Sequence, residues 1–290
     1  AARERLTVIL GGMGGDEIFA GYPRYTAARI GRIAGHLPQP LRARLRTALE
    51  GRLTLGPPGR MRGPRRNLMK LVRGLDQDDV PRHLTYTSYY REDELPALLS
   101  AETRAGLSGH DPFQRHLDFA ERQSDADWLN QLLYVDMKTY MSGLNLSYTD
   151  KMSMAASTEV RVPLLDDEVV ALSGRIPPEL KLHGSKRKYI LKRSMEGVLP
   201  DSVIWRPKAG FSAPIRSWLT GPLRPMVDDL LGPETIRARG ILDPDGVASV
   251  IDENARGTAD NALRIWALLV LELWQQQFID GQTGHAAVAA

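Results

Sequence analysis

Leu6-Thr7-Val8-Ile9-Leu10 runs directly into Gly11-Gly12-Met13-Gly14-Gly15, and Asp16-Glu17-Ile18-Phe19 follows. A short apolar run rich in β-branched residues reads as a buried parallel strand. Acidic residues just after the glycines suit the first turn of a helix. The segment therefore predicts one strand–loop–helix unit of an α/β sheet. A single strand cannot form a sheet, so its pairing partners are expected from elsewhere. Glycines between a strand and a helix can bring backbone N–H groups close to an anion or a nucleotide. A plain tight turn has the same composition, and the loop alone does not separate the two readings.

Beyond this unit the chain turns helical. Helical spacing covers 24–50, broken at Pro38 and Pro40, and Gly51 to Pro64 reads as a Gly/Pro/Arg loop. Short helices are predicted near 66–74, 78–91, 93–107 and 112–122, then a strongly helical stretch over 126–157 with a break around Gly143. Val160 to Leu165 reads as extended, ending at Asp166. Helices follow near 167–174, 185–197 and 214–230. The last, Asp260 to Phe278, places Leu263, Trp266, Leu269, Val270, Leu273 and Trp274 on one broad face. The tail, residues 281–290, reads as disordered. The fold class is thus mainly α-helical with one edge of an α/β parallel sheet: residues 1–22 end an α/β core, and 23–280 form a helical remainder.

At 42% hydrophobic, the 290 residues can bury a substantial core. The apolar stretch Ala267 to Leu271 is far too short to span a bilayer, so no membrane partner is expected. With no cysteine, disulfides, thiolate metal sites and a cysteine nucleophile are excluded within these residues, which is compatible with a cytoplasmic location. Six scattered histidines show no pair at ligand spacing, so no protein-built metal site is expected. The chain has no signal-peptide layout and does not begin with methionine, so further sequence is expected upstream. From Ala1 to Arg73 there are fifteen Lys/Arg against four Asp/Glu. Such a stretch can bind nucleic acid, but 57–73 holds no aromatic residue to stack a base, which favours a solvated basic face near a phosphate-handling site.

Two further clusters carry candidate chemistry. Tyr148-Thr149-Asp150-Lys151-Met152-Ser153-Met154-Ala155 leads into Glu159-Val160-Arg161-Val162-Pro163-Leu164-Leu165-Asp166. In an extended segment Glu159 and Arg161 share a face, giving either a structural ion pair or part of a polar site with nearby carboxylates. In Trp205-Arg206-Pro207-Lys208-Ala209-Gly210-Phe211, Lys208 sits on a constrained loop. It either faces solvent or offsets negative charge on a phosphoryl group or an oxyanion.

Read together, these blocks resemble the synthetase domain of glutamine-dependent asparagine synthetases. Leu10 to Tyr22 is similar to that family's Ser-Gly-x-Gly-x-Asp-Glu-x-Phe-x-Gly-Tyr segment. Asp150 to Ala155 and Glu159 to Asp166 resemble its Asp-x-x-Ser-Met-Ala and Glu-x-Arg-x-Pro-x-Leu-Asp blocks. Lys186 to Leu191, which includes Lys188, and Arg206 to Trp218 resemble its later lysine-containing segments. Five blocks in order make an accidental match very improbable. The resemblance implies the C-terminal portion of an adenine nucleotide alpha hydrolase-like (HUP) synthetase domain. It implies adenylation of the aspartate side-chain carboxylate by ATP with Mg²⁺, then amidation by ammonia drawn from glutamine, releasing asparagine, AMP and pyrophosphate. It assigns Lys208, Asp16 and Glu17 to catalysis, Gly11 and Gly12 to the nucleotide, and Asp150, Arg161 and Lys188 to a polar substrate site.

The match departs from the family in three places. The pyrophosphate-binding loop and the N-terminal cysteine of the glutaminase domain do not occur in these residues, so a glutaminase domain is the expected upstream partner and this stretch alone is expected to bind ATP poorly. Met13 stands where asparagine-forming members carry glutamate, and methionine cannot transfer a proton. Either the acceptor is another carboxylate, on a glycan or peptide, or Asp16 or Glu17 covers the role. The competing class is a non-catalytic helical binding module. A homodimer is a candidate assembly.

Overall fold

The computed structural model describes residues 2–54, 62–90, 93–206 and 213–281. It divides into two compact units, one formed by Ala1–Gly56, Gly63–Thr87 and Phe113–Lys208, the other by Pro57–Arg62, Ser88–Pro112 and Ala209–Ala290.

In the first unit, Val8–Leu10 (β1) pairs in parallel with Glu159–Arg161 (β2), with Val8 opposite Glu159 and Leu10 opposite Arg161. The strand before the glycine loop therefore finds a partner within this chain, contrary to expectation. It is not buried either: Leu10 is 73% exposed, because a two-stranded ladder covers one edge of a strand and neither face. A small antiparallel hairpin, Leu182–His183 (β3) with Lys186–Arg187 (β4), turns through Gly184 at φ +57°. It occupies the start of the helix expected over 185–197, which is confined to Tyr189–Ser194.

The helical expectation for 24–50 holds as two helices, Pro23–Gly35 and Gln39–Thr54, parted at Pro38, whereas Pro40 is not a break: it sits in the first turn of the second helix, where an N–H has no intrahelical partner to lose. Those ends and Arg62–Arg73 cut into the loop expected over 51–64, whose 55–61 stretch lies outside the described residues. The break expected near Gly143 is absent. Helix Trp128–Asp136 passes without interruption into a π-helix, Met137–Leu146, and then into Ser147–Ala155. A π-helix bonds i to i+5, so it accommodates Gly143 by widening rather than stopping. Val160 to Leu165 is extended only through Arg161, then forms a 3₁₀ turn, Pro163–Leu165, before Asp166 caps helix Asp167–Gly174 by accepting from the Glu168 N–H at 3.0 Å.

Asp136 ties three helices of this unit together. It is 2% exposed, accepts from Arg24 Nε at 3.0 Å and from the Tyr25 hydroxyl, and faces His83 Nε2 at 3.0 Å. Arg24 and Tyr25 belong to Pro23–Gly35, and His83 to Asp79–Thr87. Burial opposes ionisation of the carboxyl, but His83, then Arg24 and the Tyr25 hydrogen bond, hold its pKa down at about 2. Arg82, also buried, donates from Nε to the Gly74 carbonyl at 2.9 Å and fixes the turn after Arg62–Arg73. Gly31 is required opposite it: a Cβ there would lie 2.4 Å from Arg82 Cδ.

The second unit packs Leu219, Val227, Leu230, Ile236 and Val247 around helix Ala262–Phe278. The predicted apolar face of that helix is rotated from the buried one. Ala262, Ile265, Leu268, Leu269, Glu272 and Gln275 are buried, whereas Val270 and Trp274 are each 49% exposed. Glu272 can face inward because Arg239 donates to it at 2.7 Å. The stretch expected to be helical over 214–230 splits at Gly221 into Ile215–Thr220 and Arg224–Leu230. Helices Pro233–Arg239 and Pro244–Arg256 were not anticipated. Of the expected disordered tail, 282–290 lies outside the described residues.

The depressed pKa of Asp136 fixes a sign. Its contribution to stability is complete above pH 3.8 and is lost as pH falls through about 2. A shift of that size is worth about 2 kcal/mol. Asp136→Asn is therefore expected to lower the urea midpoint at pH 7 and to flatten the acid limb of stability between pH 4 and pH 2, both read by denaturation monitored through circular dichroism.

Candidate functional site

The carboxyl ends of β1 and β2 lie side by side, and the segments that leave them pack on each other. The Gly11 N–H donates to the Arg161 carbonyl at 2.7 Å, extending the ladder by one bond. Gly14 takes φ +88°, and a Cβ there would fall 2.2 Å from Leu165 Cδ2; a Cβ on Gly15 would fall 2.9 Å from Leu164 Cδ1. The loop thus needs glycine both for its left-handed turn and for its close approach to Leu164 and Leu165. Gly12 differs: nothing lies within 4 Å of where its Cβ would be, so it faces open space. In open parallel sheets, ligands bind just outside the carboxyl ends of the strands, which is where this loop lies.

After Gly14 the chain makes one helical turn, Gly15–Ile18. Asp16 emerges from it and pairs with Lys188, with Oδ1 and Nζ 3.1 Å apart and both side chains 25% exposed. Lys188 adopts φ +53°, and its N–H donates to the Phe19 carbonyl at 3.1 Å. Arg187 donates to the Gly21 carbonyl at 3.3 Å. These bonds seat β4 and its following residue against the turn. Gly21 leaves the room for the ion pair: a Cβ there would lie 1.8 Å from Asp16 Oδ1 and 2.3 Å from Lys188 Cε.

Glu17 points the other way. It is 2% exposed, and its Oε1 accepts from the Tyr22 hydroxyl at 2.6 Å and from Asn145 Nδ2 at 3.0 Å. Burial, then the hydrogen bond to Glu17, pushes the Tyr22 phenol well above its ordinary value, so it remains a donor. The π-helix supplies the rest of this wall. Tyr140 packs edge-on against Tyr22 at 5.9 Å, and Asn145 lies five residues further, one π-turn away on the same side. The Arg24 guanidinium stacks on Tyr22 and Tyr140 at 4.2 and 4.7 Å from the ring centroids and links this wall to Asp136.

Beside Lys188 the charge is positive. Lys186 and Lys192 lie 5.0 and 5.4 Å from the Trp205 ring centroid. Burial, then the charges of Arg187 and Lys188, lower the Lys192 pKa. Cations that repel one another beside Lys188 suit an anion.

The sequence-predicted residues separate into groups. Asp16 and Lys188 meet, and Gly11 and Gly12 form the loop beside them. Glu17 lies behind that loop rather than on its open side. Arg161 is exposed and pairs with Glu159 at 2.7 Å, so its carbonyl rather than its guanidinium meets the loop. Asp150 is exposed on helix Ser147–Ala155. Lys208 lies outside the described residues. Asn145, Arg187 and Lys192 were not singled out from the sequence. For Asn145 the only signal is a polar residue in a helical stretch, and its inward direction depends on the π register.

The asparagine synthase family model matches residues 1–276. Over 287 residues the chain is 33% identical to a Mycobacterium tuberculosis protein named "Putative asparagine synthetase (glutamine-hydrolyzing)", covering 96% of this chain and 40% of that protein. It is 32% identical over 275 residues to asparagine synthetase (glutamine-hydrolysing) 1 of Bacillus subtilis, covering 94% of this chain and 41% of the relative. An amidase of Penicillium rubens is 25% identical over 132 residues, 43% of this chain and 20% of its own length. The chain thus spans about two fifths of the length of the first two. No solved structure matches. With a glycine loop at the strand ends and its ordered motifs matched across nearly the whole length, the chain belongs to the asparagine synthase family.

Proposed function

We propose that this chain supplies the acceptor-handling part of an ATP-dependent carbon–nitrogen ligase that converts aspartate to asparagine. The observation that carries the proposal is the Asp16–Lys188 pair, held at 3.1 Å beside a glycine loop whose Gly12 side is open. In this reading β1 and β2 belong to an adenine nucleotide alpha hydrolase-like core. The aspartate side-chain carboxylate attacks the α-phosphate of ATP, and pyrophosphate leaves. Ammonia, released from glutamine by an upstream glutaminase domain, then attacks the acyl carbon and expels AMP.

Each residue takes a role suited to its place. Gly11 is committed to the Arg161 carbonyl, so Gly12 is the point of approach for the nucleotide. Lys188, together with Lys208, offsets charge on the phosphates and on the tetrahedral intermediate. Asp16 aims Lys188, and Glu17 fixes the loop from behind through Tyr22 and Asn145. Arg161 and Asp150 border the acceptor carboxylate's approach. Among the described residues no group of three or more His, Cys, Asp or Glu could hold a metal ion. In this reading Mg²⁺ enters with ATP, its protein ligands are expected in the upstream part, and no step is assigned to it on this chain. Among the same residues no helix is long and apolar enough to cross a membrane. The reaction is assigned to the cytoplasm, where ATP and aspartate are available.

The second reading keeps adenylation but changes the acceptor. It rests on Met13, a half-buried thioether in the loop that cannot carry a proton. AMP formation separates the two. In a protein carrying these residues behind a glutaminase portion, ATP, Mg²⁺ and glutamine should yield AMP only when aspartate is added, with asparagine in equal amount. AMP indifferent to aspartate, from folded protein that binds ATP, would transfer the proposal to another carboxylate.

Two substitutions test the ion pair. Lys188→Met should lower kcat by about 100-fold, the usual cost of removing one preorganised charge. Gly21→Ala should displace only the ends of Asp16 and Lys188, side chains able to swing aside. Its melting temperature should stay close to the parent's while turnover falls at least about tenfold, since small misplacements of catalytic groups are costly.

A further inference from the structure

A second cleft lies in the first unit, lined by none of the residues assigned above. It has a volume of about 190 Å³, and its walls are Arg29, Arg32, Ile33 and His36 on one side and Pro178, Glu179 and Leu182 on the other, with Trp128 between them. The first wall follows from the sequence: positions 29, 32, 33 and 36 share one face of helix Pro23–Gly35 and its cap. The second wall is fixed to the first, because Arg29 donates to the Leu182 carbonyl at 3.2 Å and to the Gly184 carbonyl. Arg29 is thereby committed to the scaffold, which leaves the Arg32 guanidinium, paired with Asp79 at the rim, and the His36 imidazole as the N–H groups of this wall.

The chemistry of the lining is divided in a specific way. Arg32 has a side chain 47% exposed, pairs with Asp79, and its guanidinium lies 5.6 Å from the Trp128 ring centroid. Ile33 is 65% exposed inside this concave surface, an apolar side chain without cover. Glu179, exposed on the opposite wall, is the anionic group of the lining. A guanidinium beside an imidazole, a carboxylate across from them, and an apolar and aromatic surface between match three parts of one small molecule: a carboxylate, an ammonium and an apolar side chain.

We propose that this cleft is a binding site for a free α-amino acid with an apolar or aromatic side chain. The ligand carboxylate meets Arg32 and His36, its ammonium meets Glu179, and its side chain lies against Trp128, Ile33 and Pro178. The cleft volume suits a ligand of that size. The site stands apart from the glycine loop and does not depend on the ligase reading.

L-Phenylalanine titrated into the protein and followed by isothermal calorimetry tests the proposal, with phenylalanine amide and 3-phenylpropionate as probes lacking the carboxylate and the ammonium. Saturable binding of phenylalanine is expected, weakened at least about tenfold for each truncated probe, the worth of one lost charge-assisted bond. Arg32→Met and Glu179→Gln are exposed substitutions that should keep the parent's circular dichroism and each abolish binding. Absence of saturable binding by phenylalanine, leucine and tryptophan would overturn the proposal. So would phenylalanine binding that both variants retain, or phenylpropionate binding as tightly as the amino acid.

Discussion

The parallel ladder between Val8–Leu10 and Glu159–Arg161 is the constraint on which the candidate active site depends. It joins segments far apart in sequence and sets the carboxyl ends of two strands next to each other. The Gly11 to Arg161 bond continues it into the loop, and Gly14 and Gly15 then press onto Leu164 and Leu165, where no side chain fits. Loop geometry is therefore dictated by β2 and the turn after it as much as by the glycines. A parallel pairing of this span carries a large loop-closure cost, offset by the helices that pack between its strands in sequence.

Behind the loop, buried polar groups join the apolar cluster of Tyr25, Ala28, Leu129, Leu132 and Leu133 in fixing the parts. Glu17 and Asp136 are both 2% exposed, and each is satisfied by donors from distant elements. Arg24 couples them by stacking on Tyr22 while bonding Asp136. A buried carboxylate left without its donors is strongly penalised, so these networks select one arrangement of helices Pro23–Gly35, Asp79–Thr87 and Trp128–Asp136. The π-helix belongs to the same device, because only its wider turn puts Tyr140 and Asn145 on the Tyr22 side together.

Charge is distributed to match the chemistry of the family. The anionic members near the loop are partnered or buried, whereas Arg187 and Lys188 sit against the turn that follows it, and, after burial, their charges lower the Lys192 pKa. A surplus of cations beside a glycine loop suits an anion. Lys188 is the member brought closest to the loop, by its left-handed backbone and the Phe19 hydrogen bond.

The sequence by itself determined the family, the strand–loop–helix order at Leu10 to Phe19, the helical break at Pro38, and the end of the extended piece before Asp166. These rest on local chemistry: glycine's backbone freedom and proline's missing N–H. It also placed Asp16 and Lys188 in separate motifs without joining them. Only the tertiary structure decided that these two meet, that Glu17 turns inward, that Arg161 offers its carbonyl, and that Val270 and Trp274 lie outside the buried face of their helix. Each of those outcomes depends on which groups a distant segment brings within hydrogen-bond or packing reach, and periodicity along one segment carries no record of its distant partners.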